Sequence, residues 1–135
     1  ATCKILCAEH GGSVPNDFEA LLELPGIGRK IANIIRNDVF DVPSIAVDTH
    51  VFRLSHRLHL ADAKDPDRTE AQLQQVIPKD LVSGFNHLLT FHGRQVCAAR
   101  RPRCRECPIL NLCPWEEKGQ FVQPIHGKRI KMKDL

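Results

Sequence analysis

Apolar residues recur at helical spacing along almost all of this 135-residue chain. The one short run that could be a strand, Asp41–Val47, has no second strand to pair with. The sequence therefore predicts an all-α fold in which 41–47 is an extended connection. Thr2–Glu9 reads as a helix stopped by His10-Gly11-Gly12, since glycine just past a helix end accepts the left-handed conformation that closes it. Asn16 is the expected N-cap of a short helix, with Glu19 three positions on in a capping-box pattern. That helix buries Phe18, Leu21 and Leu22 and ends at Leu24-Pro25-Gly26-Ile27-Gly28. A second helix runs from about Gly28 to Val39, with Ile27, Ile31, Ile34 and Ile35 on one face. Asp48 opens a third helix, with Val51, Phe52, Leu54 and Leu58 apolar. Asp65 caps another, with Pro66 at the first position, where the missing N–H costs nothing, and this one ends at Pro78. The last long helix runs from about Asp80 into the Arg94 region and turns Leu81, Val82, Phe85, Leu88 and Leu89 inward.

With 42% hydrophobic and 26% charged residues, the composition is that of an ordinary globular protein. No apolar run approaches the ~20 residues of a membrane span. Ala-Thr-Cys-Lys does not read as a secretory signal, and the chain reads as starting within a longer one, with residues expected upstream. The net charge is only +3, but it is unevenly spread. Arg94, Arg100, Arg101, Arg103 and Arg105 occur without an intervening acid, and five more cations fall between Lys118 and Lys133. Charge alone fits a polyanion partner and a solvated face equally well.

Six cysteines fall into two sets. Cys3 and Cys7 share one helix face and are expected to be small buried hydrophobes. Cys97, Cys104, Cys107 and Cys113 have the spacing C-x6-C-x2-C-x5-C, so four thiols within 17 residues can converge on one point. Disulfides are a poor reading without a sign of secretion. A structural zinc and an iron–sulfur cluster both take four thiolates, and the spacing leaves the two open.

Gly26 and Gly28 lie between two helices, where they permit positive φ and close approach of another backbone. The turn delivers N–H groups to a helix N-terminus, a ready phosphate site, although any helix–helix turn favours glycine. Lys30 falls in the first turn of that helix, against the dipole. It is either a solvated lysine or an amine activated as a nucleophile beside Arg29. Asp48, in Val47-Asp48-Thr49-His50, is an N-cap, a carboxylate brought near Lys30, or both.

Leu24-Pro25-Gly26-Ile27-Gly28-Arg29-Lys30, then Val47-Asp48-Thr49-His50, then the four-cysteine spacing together resemble the endonuclease III family, helix-hairpin-helix DNA glycosylases with an iron–sulfur cluster. The resemblance covers the chain from its first helix through Cys113. It implies part of the six-helix hairpin domain (1–47), an iron–sulfur cluster domain (48–117) and a basic mobile tail (118–135). It also implies that duplex DNA containing damaged pyrimidines or abasic sites binds across the cleft between the domains. The catalytic lysine would be Lys30 and the catalytic aspartate Asp48. Cys97, Cys104, Cys107 and Cys113 would hold a 4Fe-4S cluster. Gly26, Gly28, Arg29, Arg94, Arg101 and Arg105 are the candidate DNA contacts.

Relatives that excise adenine opposite damaged guanine typically lack a lysine at this place. Lys30 therefore favours the bifunctional branch, which removes oxidised pyrimidines and cleaves the abasic site by β-elimination. Ile31 departs from the small hydroxyl residue that close relatives often carry. The family has further helices before the point where this chain begins. A truncated, catalytically weak DNA-binding fragment is therefore one alternative, and a zinc-stabilised helical interaction module is another. Without those helices, Ile31, Ile34 and Ile35, with Val51, Phe52 and Leu54, are expected to be partly uncovered. The resemblance further implies a monomer with no membrane association, located in the nucleoid if bacterial and in the nucleus or mitochondrion if eukaryotic.

Overall fold

The computed structural model describes residues 1–122. The remainder of the expected basic tail, 123–135, lies outside the described residues. Among the described residues there is no strand. The helices are α1 (Thr2–Glu9), α2 (Phe18–Glu23), α3 (Arg29–Phe40), α4 (Thr49–Arg57), α5 (Pro66–Val76), α6 (Val82–Gln95) and the short α7 (Gly119–Val122). Two 3₁₀ turns, Cys104–Glu106 and Glu116–Lys118, interrupt the loop after α6.

Most helix boundaries follow from local chemistry. Gly11 and Gly12 close α1 with positive φ, and the Gly12 N–H bonds back to Leu6 O at 2.8 Å. The cap of α2 is Asp17, not Asn16: its Oδ1 accepts from Ala20 N at 2.9 Å, and the helix starts one residue later than the capping-box pattern suggests. Asp65 caps α5 through Arg68 N, with Pro66 as the first helical residue. Asp41 closes α3 in the left-handed conformation, and the segment 42–47, without regular secondary structure, carries Ile45, Ala46 and Val47 into the interior. Residues 118–122, expected to begin a mobile tail, are helical. Phe121 stacks on Trp115 with ring centroids 5.6 Å apart, and Lys118 Nζ donates to Leu110 O at 3.1 Å and to Cys113 O.

Two apolar clusters form. The first is Leu21, Leu24 and Ala32, flanked by Ile5, Leu6, Phe18, Ile27 and Ile35 from α1–α3. The second is larger: Ile45, Val47, Val51, Leu54, Ala61, Leu73, Val82 and Leu89, with Phe52, Leu58, Ile77, Phe85 and Cys97 packed against it. Val51 and Leu54 therefore do not lack cover, because α4 lies against both α5 and α6. On α3 the expectation holds in part, with Ile31 exposed and Ile34 and Ile35 half-buried. Leu81 and Leu88 are not inward as expected. Leu81 precedes the first turn of α6, and Leu88 lies about 100° round the helix from Leu89. Cys3 and Cys7 are exposed rather than buried, because nothing among the described residues lies over their face of α1.

Where α4 crosses α6, Gly93 is buried. A Cβ there would stand 3.0 Å from Arg53 Nη2 and from His50 Nδ1, so the absent side chain is what lets the two helices approach.

Candidate functional site

Lys30 and Asp48 arrive from different cores and meet at one open depression. Lys30 is exposed in the first turn of α3, and Asp48 is the half-buried N-cap of α4. Both line a groove of about 410 Å³ between α3 and α6, together with Asp38, Asn86, Thr90 and Arg94. The same three, Lys30, Asp48 and Arg94, line the adjoining hollow against His50, Phe52 and Pro66.

The two oxygens of Asp48 are used differently. Oδ1 accepts from His50 N at 2.8 Å and from Val51 N at 2.7 Å, capping α4. Oδ2 is approached by the Thr90 hydroxyl at 3.4 Å and has no other bond among the described residues. The N-cap and functional readings are therefore compatible: one oxygen holds the helix and the other faces Thr90 beside the groove.

The hairpin glycines differ as well. Gly26 has φ +84 and needs to be glycine on conformational grounds, whereas Gly28 is extended at φ −100. A Cβ at either position would meet nothing within 4 Å. The outer surface of the hairpin is thus open to another molecule's backbone. No side chain caps α3, so its first N–H groups are unclaimed by side chains.

Arg29 turns from this surface toward α5. Its Nη2 donates to Glu70 Oε1 at 2.9 Å, Asp67 lies 3.8 Å away, and its guanidinium sits over the Phe18 ring at 5.0 Å. The Glu70 hydrogen bond pushes the Arg29 guanidinium above its ordinary pKa. Arg94, Arg101 and Arg105 are exposed. Arg103 instead folds back onto Gln95 O and Glu106.

Cys97, Cys104, Cys107 and Cys113 line one apolar pocket, with about 20 Å³ of free space, together with Leu54, Pro102, Ile109 and Trp115. Burial, then the neighbouring cysteines, pushes the Cys104 thiol up. Among the described residues, no three His, Cys, Asp or Glu side chains stand close enough to hold one metal ion. As a donor set, four thiols lining one pocket suit either a zinc ion or an iron–sulfur cluster.

Two side chains that the sequence reading missed secure this loop. Arg57 Nη1 donates to Cys97 Sγ at 3.1 Å and to Ala98 O at 2.9 Å, and its guanidinium lies 4.0 Å over Trp115. Arg53 donates through Nη2 to Cys97 O at 3.0 Å and to Gly93 O at 3.1 Å. His92 Nε2 lies 3.6 Å from Cys107 Sγ. The available signal was two arginines four residues apart on α4, hence on one face.

Comparison with known proteins adds four findings. Residues 9–37 match the helix-hairpin-helix motif. Endonuclease III of Rickettsia conorii is 47% identical over 115 residues, covering 85% of this chain and 55% of that protein. A non-covalent endonuclease III–DNA complex superposes with a TM-score of 0.80 at 42% identity, covering 88% of this chain and 56% of that one. A trapped covalent endonuclease III–DNA intermediate gives a TM-score of 0.79 with the same identity and coverage. The chain thus spans about half the length of the curated relatives it matches.

Proposed function

The chain belongs to the endonuclease III family along the stretch that it spans, and from that premise we propose that it acts in base-excision repair as a DNA glycosylase with abasic-site lyase activity on oxidised pyrimidines. The observation that carries this reading is that Lys30 and Asp48, from two different cores, line one open groove with Arg94.

The damaged base leaves the duplex for the groove at a cost of a few kcal/mol. The lone pair of Lys30 Nζ attacks C1′. The C1′–N bond breaks, and its electron pair departs on the base, which takes up a proton. Asp48 accepts the proton released by the amine, through the oxygen that does not cap α4. Asp48 returns that proton to the ring oxygen as the C1′–O4′ bond breaks, leaving C1′ doubly bonded to Nζ. A C2′ proton then passes to water, the C2′–H electron pair becomes the C2′–C3′ double bond, and the 3′ phosphate departs with the C3′–O pair. The exposed hairpin, with its unfilled space over Gly26 and Gly28 and the uncapped start of α3, is suited to backbone phosphates. Arg94 adds charge in the groove beside Lys30, and Arg101 and Arg105 add exposed charge on the cysteine loop.

The chemistry of the donor set suits a 4Fe-4S cluster, which Cys97, Cys104, Cys107 and Cys113 would hold. When bound it would tie together a loop whose own helical content is two single turns and α7. Arg57, donating to Cys97 Sγ, offsets thiolate charge there.

The test is strand cleavage of an abasic-site duplex and release of an oxidised pyrimidine. Lys30→Gln is expected to abolish cleavage and Asp48→Asn to reduce it strongly, with DNA binding kept in both. DNA binding without either activity in the unsubstituted chain would replace this reading with that of a non-catalytic DNA-binding fragment. Iron analysis of the anaerobically purified chain tests the cluster, and stoichiometric zinc in place of iron would refute it.

A further inference from the structure

The two apolar cores do not merge. What joins α3 to the larger one is a row of polar side chains. Arg29, Asn33 and Asn37 fall at i, i+4 and i+8 and so form one stripe along α3. Each donates across the seam. Arg29 Nη2 reaches Glu70 Oε1 on α5 at 2.9 Å, Asn33 Nδ2 reaches Ile45 O at 2.9 Å, and Asn37 Nδ2 reaches Ser83 O on α6 at 3.3 Å. Asn33, Asn37 and Glu70 are 2%, 5% and 5% exposed, whereas the Arg29 side chain is 43% exposed, so the ionic tie is buried at its carboxylate end and reaches solvent at its guanidinium end.

Glu70 is the charged member. A carboxylate this buried is costly unless it is paired. Its partners are Arg29 and, at 3.2 Å, the Gln74 amide. Arg29 is the first residue of α3, and Lys30 is the second. On the other side of the seam, Ile45 leads within three residues to Asp48. The polar ties therefore bridge the two supports on which Lys30 and Asp48 stand, and the tie nearest Lys30 is the ionic one.

We propose that Glu70, acting through Arg29, is a positioning residue: it sets where the first turn of α3, and with it Lys30 Nζ, stands relative to Asp48. This rests on the lyase reading above. Apolar packing would join the cores without fixing direction, whereas a two-point guanidinium–carboxylate contact fixes orientation as well as distance. The pairing also withholds Arg29 from DNA, so releasing it adds a free cation at the hairpin.

The test is the rate of borohydride-trapped adduct formation on an abasic-site duplex at saturating protein, read with the DNA dissociation constant and the melting temperature. Glu70→Ala is expected to slow adduct formation roughly 10- to 100-fold, the order that a misplacement of about 1 Å costs. Its dissociation constant should be unchanged or lower. Glu70→Gln, whose amide oxygen can still accept from Arg29, should recover most of the rate. Gln72→Ala is the control. It lies on the same helix and loosens the loop at Asp62 and Ala63, whose N–H groups bond its Oε1, and it should lower the melting temperature while keeping the wild-type rate.

Equal rates for Glu70→Ala and Gln72→Ala would overturn the proposal. Backbone hydrogen exchange gives a readout independent of activity. In Glu70→Ala, amides of α3 should exchange faster while those of α4 and α6 do not, and unchanged exchange in α3 would also overturn it. A wild-type chain that forms no adduct but shows this exchange pattern would overturn the lyase reading and support the seam.

Discussion

The two halves of the molecule are built to different standards. The α1–α3 half centres on three buried apolar side chains, and α1 contributes no fully buried residue. The α4–α6 half centres on eight. Each fully buried aliphatic side chain contributes about 1.5–3 kcal/mol, so most of the hydrophobic stabilisation lies in the second half. Yet the hairpin, Lys30 and the uncapped start of α3 are all in the first. The half that carries the hairpin and Lys30 is the one least held by apolar packing, and it is fastened to its support by oriented polar bonds.

Truncations in the two cores test that contrast with the largest expected effect. Leu73 and Leu21 are both 0% exposed, one in each half. Leu73→Ala should cost about 2–5 kcal/mol and lower the denaturant midpoint of the whole chain. Leu21→Ala should show first as faster hydrogen exchange in α1–α3, with α4–α6 still protected. A single cooperative loss from both variants would mean that the halves do not differ as described.

Gly93→Ala comes next. Its new methyl would crowd Arg53 and His50, so about 1–3 kcal/mol should be lost, entirely from the α4–α6 half. A melting temperature equal to wild type would show that the α4–α6 contact gives way more easily than the geometry implies.

The smallest effects belong to surface charge. Arg94, Arg101 and Arg105 are exposed, and if each contacts a phosphate, its loss lowers the salt slope of DNA binding by about one. Arg103, held by Gln95 O and Glu106, should change the slope least. An unchanged slope for all of the first three would return them to the role of a solvated face.

Much of this was legible in the sequence because it is local. Helix periodicity, Asp65 and Pro66 at the start of α5, and Asp48 at the start of α4 are decided within a few residues. Lys30, Asp48 and the four cysteines were reached through motif and spacing. The errors have local causes too: Asp17 rather than Asn16 caps α2 because adjacent residues compete for one role, and Leu88 faces outward because one residue of phase turns a helix face. What sequence could not give is the pairing of residues far apart in the chain. Glu70 lies 41 residues from Arg29, and Arg57 lies 40 from Cys97. Neither glutamate on a helix nor arginine beside a histidine marks itself as structural. Cys3 and Cys7 were misplaced for a related reason, since burial depends on what covers a face and not on the face alone.

The account stands or falls on which atom joins the DNA. The chain would be trapped on an abasic-site duplex with borohydride, digested and mapped by mass spectrometry. The expected result is a reduced sugar adduct on Lys30, the only lysine among the described residues that lines the groove with Asp48, and its disappearance in Lys30→Gln. An adduct on any other amine, or one that persists in that variant, would contradict it.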